Sequence, residues 1–248
     1  MRVLREITWI ELKLFAREPI TVVFVLVLPL IVLYVLNGVF GNQPAPSVYE
    51  GVGAVDFYTP AYVALVVATV GVLSVPVHLA GYREHGVLRR FRASALSPVA
   101  LLGAHMIIAT VTGTVGAVLL TTLSTVGYHG VLPHDWAGVA AGFLLITAAF
   151  AALGAFLGVT LPTARAAQGL GVLLFFVFLM LGGAGPPREV LPGAMSTLAD
   201  AVPLTYASAV LRDPWLGRGW DGGAVAVMSS VLLVSLALTW WRLRRVER

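Results

Sequence analysis

One short stretch of this chain, GYREHGVLRRFRASALSP at residues 81–98, combines several charged side chains with glycine. It holds four arginines, one glutamate and two glycines, and it separates two long apolar runs. No proline interrupts the part from Glu84 to Ala95, so a short helix can form there, with Leu88 and Phe91 three residues apart on one side. Cations around two apolar side chains suit docking to a soluble partner. The same arginines could instead only fix the orientation of a membrane protein.

This chain lacks the residues that the common kinds of enzymatic catalysis require. There is no cysteine, which excludes disulfides and thiolate chemistry, and no G-x-S-x-G elbow is present. A Walker A loop needs glycines before its lysine, and the only lysine, Lys13, has none near it. His129, His134 and Asp135 cluster in sequence but lack the i, i+4 spacing that aims two imidazoles at one ion. We therefore predict no catalytic residue and no metal site.

Composition predicts an all-α integral membrane protein. The chain is 58% hydrophobic and 11% charged, with a mean hydropathy of +0.91, whereas soluble domains are roughly one quarter charged. Runs of about 20 apolar residues are long enough to cross a bilayer as helices. Six such runs are predicted as transmembrane helices: Ile20 to Phe40, Tyr58 to Gly81, Val99 to Tyr128, Trp136 to Leu161, Ala166 to Gly183 and Ala224 to Trp241.

The arginines also predict the orientation. Thirteen of the 16 basic residues fall in alternate gaps between the apolar runs, which places both termini and residues 82–98 in the cytoplasm of a multi-pass protein of the cell inner membrane. Trp136 and Trp220 would then lie near the outer surface, and Trp240 and Trp241 near the inner one. Bases placed between apolar runs do not form the basic face that nucleic acid requires.

Residues 1–18 precede the first span and have an amphipathic pattern. Val3, Ile7, Ile10 and Leu14 lie on one helical stripe, which predicts a helix in the inner membrane interface. An ordinary cytoplasmic helix leading into the membrane is the alternative.

None of the twelve acidic residues lies inside a predicted span. Carriers driven by protons or sodium usually hold a carboxylate near the membrane midplane, so its absence argues against that class. His78 or His105 could substitute for it, which leaves a secondary transporter or facilitator as an alternative. A purely structural membrane anchor is a further alternative.

Two of the predicted spans contain regularly spaced glycine or threonine residues. Span four contains Gly138-x-x-x-Gly142 and Gly154-x-x-x-Gly158, a spacing that permits close helix packing but that also arises by chance in a chain with 26 glycines. Span three has four threonines within a sector of about 60°. They could line a substrate path or a dimer seam, or bond the carbonyls of their own helix. These are Thr110, Thr114, Thr121 and Thr125.

Residues 84–98, EHGVLRRFRASALSP, resemble the signature loop E-R-G-T-L-E-R-L-L-A-T-P-V-S-P of ABC-2 type exporter permeases. Seven positions match: Glu84, Gly86, Leu88, Arg90, Ala93, Ser97 and Pro98. Val87, Arg89 and the Ser94-Ala95 pair depart from the pattern, and Arg89 reverses the charge of the usual glutamate. The segment PLTYA at residues 203–207, followed by Leu211-Arg212, is similar to a second motif of the same family.

The resemblance implies a half-transporter without catalytic residues or cofactors of its own. It implies a separate P-loop ATPase in two copies, which binds ATP and magnesium, and a second, identical permease chain. The residues implied in coupling to the ATPase are Arg83, Glu84, His85, Gly86, Leu88, Arg89, Arg90, Phe91, Arg92, Ser97 and Pro98. Those implied in an outer gate are Pro203, Thr205, Tyr206 and Arg212.

The predicted organisation is one transmembrane permease domain over residues 1–248. Residues 1–18 form the interfacial helix and residues 82–98 the cytoplasmic coupling loop. The resemblance implies short re-entrant outer helices at residues 184–219, between spans five and six. Four prolines divide this region into short pieces, although an irregular outer loop would contain them as well: Pro186, Pro187, Pro192 and Pro203.

The sequence says least about what is transported. A short chain with a mainly apolar membrane path and no wide polar or aromatic-lined groove favours an apolar small molecule, either drug-like or a lipid. Export of a polysaccharide or glycolipid is the alternative within the family.

Overall fold

The computed structural model describes residues 13, 19–40, 42–44, 49–86, 98–187 and 190–246. Residues 1–18, apart from Lys13, lie outside these ranges, and so do residues 87–97 of the coupling loop. The interfacial helix and the middle of the coupling loop therefore stay predictions. Within the described ranges the chain is helical and contains no β-strand.

The long helices follow the predicted apolar runs. The first, α1, consists of three consecutive segments, Pro19–Val22, Val23–Val27 and Leu28–Phe40, and its middle segment is π-helical. Four more long helices precede the predicted outer segment, and one follows it. All five begin and end within a few residues of the predicted limits. They are α2 (Ala54–Glu84), α3 (Pro98–Tyr128), α4 (Trp136–Thr160), α5 (Ala164–Leu181) and, last in the chain, α8 (Gly222–Val246).

Five helices of the described residues are long and apolar enough to cross a membrane. They are Ala54–Glu84, Met106–Tyr128, Trp136–Thr160, Ala164–Leu181 and Gly222–Arg244. Within α1, the apolar segment Val23–Val35 is shorter. The predicted division between span four, ending at Leu161, and span five, beginning at Ala166, is confirmed, because α4 ends at Thr160 and α5 begins at Ala164.

Helix α2 is the centre of the molecule. Nearly all of its side chains are buried, from Ala54 to Ala80, although they are as apolar as those of a lipid-exposed span. Helices α1, α3, α4 and α5 pack around it. The outer faces of these helices instead expose large apolar side chains, such as Ile31, Val126 and Leu173, as expected where lipid or another membrane chain covers them.

Glycines bring α4 and α5 close to α2. A Cβ added at Gly154 would overlap the carbonyl oxygen of Gly71, and one added at Gly171 would lie 2.8 Å from the carbonyl oxygen of Val72. Both carbonyls belong to Val70–Ser74, a π-helical turn of α2. A π-turn widens the helix locally, so the neighbouring helices need residues without side chains at this level. The close packing predicted from the second GxxxG pattern of span four is thus present at Gly154.

Two short helices follow α5 in the predicted outer segment. They are α6 (Gly193–Ala199) and α7 (Pro203–Trp215). Pro203 is at the start of α7, where its missing N–H costs nothing and its fixed φ suits a helix. The predicted division of this segment into short pieces at its prolines agrees with these limits.

Candidate coupling and transport site

The coupling loop leaves α2 through a tight turn. The His85 N–H donates to the Gly81 carbonyl at 3.0 Å, and the Gly86 N–H donates to the Arg83 carbonyl at 3.1 Å. Gly86 has φ +68°, a left-handed conformation that side chains with a Cβ rarely adopt. A Cβ at this position would have no neighbour within 4 Å among the described residues, which leave the surface beside Gly86 open.

Arg83 binds the end of α4. Its guanidinium donates to the carbonyl oxygens of Gly158 at 3.2 Å and Leu161 at 3.0 Å. The last carbonyls of a helix have no partner within the helix and carry partial negative charge. A cation is therefore the suitable group at this position, and it fixes the base of the coupling loop to α4.

Glu84 binds the beginning of the next helix. Its carboxylate accepts a hydrogen bond from the Ala164 N–H at 3.0 Å, and the Thr163 hydroxyl accepts one from the Ala166 N–H at 3.1 Å. Both oxygens satisfy free N–H groups of the first turn of α5, where negative charge is favoured. Neighbouring side chains of α2 thus hold the two ends of the α4–α5 turn.

The predicted coupling residues fall into two groups. Arg83, Glu84, His85 and Gly86 form the turn just described, and Pro98 begins α3. Leu88, Arg89, Arg90, Phe91, Arg92 and Ser97 lie outside the described residues. Their contact with an ATPase stays a prediction. The bonds of Arg83 and Glu84 to the α4–α5 turn were missed, because no sequence signal places that turn beside residue 84.

At the end of the molecule opposite Arg83 and Glu84, which is the predicted outer end, the PLTYA motif connects α7 to the elements before it. The Thr205 hydroxyl donates to the Ala199 carbonyl at 2.8 Å, and the Tyr206 hydroxyl donates to the Asp200 carbonyl at 2.9 Å. Ser208, one residue beyond the motif, donates to the Gly182 carbonyl at the end of α5 at 3.1 Å. Polar side chains of α7 therefore satisfy the carbonyls of α6 and α5.

Arg212 lies in an ion-pair cluster on the same helix. Its guanidinium is 2.9 Å from the Glu50 carboxylate and packs over the Phe57 ring, 4.5 Å from the ring centre. Glu50 also pairs with Arg218, beyond the end of α7. The cluster joins the loop before α2 to the segment before α8. Glu50 was missed, because a single acidic residue in a loop gives no sign of its partner.

Further contacts reinforce this outer end. The Asp56 carboxylate of α2 accepts a hydrogen bond from the Val131 N–H at 2.8 Å, and the Trp215 indole donates to the Val131 carbonyl at 3.0 Å. Burial raises the pKa of Asp213, and the Arg212 guanidinium opposes that rise. Carboxylates and arginines therefore hold α2, the α3–α4 loop and α7 together.

The threonine stripe of α3 lines a crevice. The hydroxyls of Thr110, Thr114 and Thr125 donate to the carbonyls four residues earlier, at 2.8, 2.7 and 2.6 Å. Thr110, Thr114 and Thr121 also line a crevice of about 540 Å³ between α3 and α4, whereas Thr125 does not. The two predicted alternatives, bonding within the helix and lining a path, are thus compatible.

Comparison with known proteins identifies the family. The ABC-2 type transporter family matches residues 2–214 of the chain. The chain belongs to this family. It is also similar to the daunorubicin resistance ABC transporter permease protein DrrB1 of Streptomyces coeruleorubidus, with 26% identity over 251 residues that cover 96% of this chain and 84% of the relative.

Membership in the ABC-2 type transporter family accounts for the apolar helices of this chain and for its lack of a Walker A sequence. Permeases of this family are the membrane components of ABC transporters, and the ATPase is a separate subunit. Among the described residues of this permease no three His, Asp or Glu side chains are placed to hold a metal ion. The predicted cluster at the outer loop has a structural use, since Asp135 caps α4 by accepting from the Gly138 N–H at 2.9 Å.

Proposed function

We propose that this permease is one half of the membrane path of an ATP-driven exporter that moves an apolar small molecule outward. Two identical copies form the path, and two copies of a P-loop ATPase dock on residues 83–98. ATP and magnesium bind to the ATPase. All six predicted spans cross the inner membrane, α6 and α7 re-enter it from outside, and both termini are cytoplasmic.

The geometry at Arg83 and Glu84 is the observation that carries this proposal. A loop that only oriented the protein would need positive charge but no bonds to other helices. Here its base is bonded to both ends of the α4–α5 turn. A displacement of the docked loop by the ATPase therefore moves α2, α4 and α5 together, as a switch between two packed arrangements requires.

The substrate class follows from the lining and from the relative. The relative's name concerns resistance to daunorubicin. The crevice beside α3 is lined largely by apolar side chains, and no charged residue is among those that the structure describes there. Part of its wall is aromatic, formed by Phe143, Trp136 and Trp215, although no wide aromatic-lined groove was predicted. We therefore propose a drug-sized, mainly apolar substrate rather than a lipid-linked glycan. Transport into inverted vesicles of daunorubicin, and of a glycan as the competing substrate, tests this choice.

Gly86 gives the direct test of coupling. Gly86→Trp is expected to abolish ATP-dependent export in vesicles that contain the ATPase, because the side chain fills the open surface where the partner backbone approaches. Membrane insertion and yield should stay normal, since Gly86 lies in the turn after α2 and no described residue lies within 4 Å of the added Cβ. Export is measured with daunorubicin, and ATPase association by co-purification.

Gly86→Asn is the matched control. Asparagine tolerates φ above zero better than other residues with a side chain, so it separates backbone strain from the size of the side chain. It should retain most of the export. Full ATP-dependent export by Gly86→Trp would contradict docking at this turn, and equal transport without any ATPase would identify a secondary transporter.

A further inference from the structure

The crevice between α3 and α4 has the dimensions of a ligand site. Its volume of about 540 Å³ lies within the range of roughly 300–1,000 Å³ that is usual for small-molecule sites. Val63 of the central helix and the buried Trp215 form its inner wall. Val118 and Leu144, both more than half exposed, form its rim.

Small residues keep the crevice open although α3 packs closely on α2. A Cβ added at Gly113 would lie 3.0 Å from Val67, so the two helices touch at that level. On the crevice side, α3 presents Thr114 and Ala117, and α4 presents Ala140. These short side chains leave space between the helices that longer apolar residues would fill.

Two threonines and one tryptophan of the crevice already donate their hydrogens to backbone carbonyls. Thr110 donates to the Met106 carbonyl and Thr114 to the Thr110 carbonyl, so their hydroxyl oxygens keep only lone pairs for a ligand. The Trp215 indole N–H is bonded to the Val131 carbonyl. These three groups therefore offer acceptor oxygens and an aromatic wall.

From this complementarity we propose that the crevice binds the exported compound, and that it selects an apolar molecule of drug size that carries a hydroxyl or ammonium donor. Such a donor bonds the oxygens of Thr110 and Thr114, while the apolar body packs against Phe143 and Trp136. A cationic donor also gains from the faces of the aromatic rings. This inference rests on the exporter function proposed above and assigns its substrate site.

Binding can be measured on the full-length permease in nanodiscs. The probes are 1-pyrenebutanol and its methyl ether, which differ only in the donor. Energy transfer from tryptophan to pyrene reports binding, and empty nanodiscs give the background of partition into lipid. Wild-type permease should show saturable binding of the alcohol, about three- to tenfold tighter than that of the ether, the ratio that one hydrogen bond gives.

Two variants on the same helix separate the site from the rest of α3. Thr114→Val keeps the shape but removes one of the two acceptors, so it should lower the affinity for the alcohol toward that for the ether. Thr125→Val removes a similar hydroxyl, bonded to its own helix but outside the crevice, and should change neither affinity. Ala140→Phe fills the crevice and should remove saturable binding of both probes.

Other results would overturn the assignment. Binding that never saturates in wild type, or an equal loss with Thr114→Val and Thr125→Val, would show that the threonines do not form a site. Efficient disulfide cross-linking of Val118→Cys between two copies, in a chain without native cysteine, would make this face a dimer seam. ATP-dependent export that persists in Ala140→Phe would refute the crevice as the substrate site but not the exporter function. Saturable binding to wild type without export by any ATPase would refute only the exporter function.

Discussion

At the scale of single residues, two adjacent side chains at the end of α2 carry opposite charges and stabilise opposite kinds of helix end. The Arg83 side chain lies at the C-terminus of α4, and the Glu84 side chain lies at the N-terminus of α5. Each charge is therefore at the end of a helix dipole that it stabilises. Exchanging the two residues would place each charge at the wrong end. We expect these bonds to matter for the transfer of movement more than for the affinity of the ATPase.

The contribution of Glu84 can be separated from docking. Glu84→Ala should lower the free energy of unfolding by about 0.5 kcal/mol, the usual effect of a carboxylate at a helix N-terminus, and it should reduce export. ATPase co-purification should stay unchanged. Thermal unfolding in detergent, export and co-purification are measured on the same preparation.

Thr163→Ala is the control for that variant. It removes the other oxygen that caps α5 but belongs to the α4–α5 turn and not to the predicted coupling loop. If export falls similarly in both variants, the shared role is to hold the turn. Loss of ATPase binding in Glu84→Ala alone would instead show that Glu84 contacts the partner.

Local sequence patterns identified the signature loop, but they did not identify which distant side chains form hydrogen bonds or ion pairs with each other. The signature loop could be recognised because its residues are consecutive. Glu50 and Arg218 are 168 positions apart, and only the packing of α2 against α7 brings them together. Glu84 has the same difficulty, since its partner Ala164 lies 80 residues further on. Long-range polar contacts of this kind have no local signal.

At the scale of helices, apolar run length predicted the bounds of α2 to α5 and α8. Run length has this power because a bilayer requires about 20 residues and charged residues mark the ends. It did not predict which helix is central, because α2 and α8 have similar mean hydropathy (2.2 and 2.0) while α2 is buried and α8 is mostly exposed. The π-turns of α1 and α2 were also missed, since apolar patterns do not distinguish i+4 from i+5 bonding.

The contact between the π-turn of α2 and Gly154 gives an element-scale prediction. Gly154→Ala should destabilise the permease by about 1–3 kcal/mol, because its Cβ would overlap the Gly71 carbonyl oxygen and lie 3.0 Å from the Val75 Cβ. Thermal unfolding in detergent measures the effect.

Gly169→Ala on α5 is the matched control. An added Cβ there has no neighbour within 4 Å in the part of the chain that the structure describes, and alanine favours helix, so stability should be equal or slightly higher. An unchanged melting temperature in Gly154→Ala would mean that α2 and α4 can separate at this level without cost.

At the scale of the whole molecule, α2 connects the two polar ends. Its first turn holds Asp56, which bonds the α3–α4 loop, and its last turn holds Arg83 and Glu84, which bond the α4–α5 turn. Between them its side chains are almost entirely buried. A helix enclosed in this way transmits displacement along its length, because a packed interior resists local deformation.

The outer ion-pair cluster then fixes the far end of that helix, and its two arginines differ in burial. The Arg212 side chain is 14% exposed and that of Arg218 is 34% exposed, although both pair with Glu50. Arg212→Gln should lower the free energy of unfolding by about 2 kcal/mol, because it leaves Glu50 with one partner and removes the contact with Phe57. Arg218→Gln should have less than about half of that effect, as exposed pairs do.

Export measured beside stability shows whether the cluster also acts as the outer closure. If α2 carries displacement from the coupling loop to this end, Arg212→Gln should reduce export per ATP hydrolysed more than it reduces ATP hydrolysis, since the ATPase still docks but the outer end no longer closes. Arg218→Gln should keep the normal ratio. Equal falls in export and hydrolysis with Arg212→Gln would place the defect in folding or assembly, and an unchanged ratio would remove the outer cluster from the transport cycle.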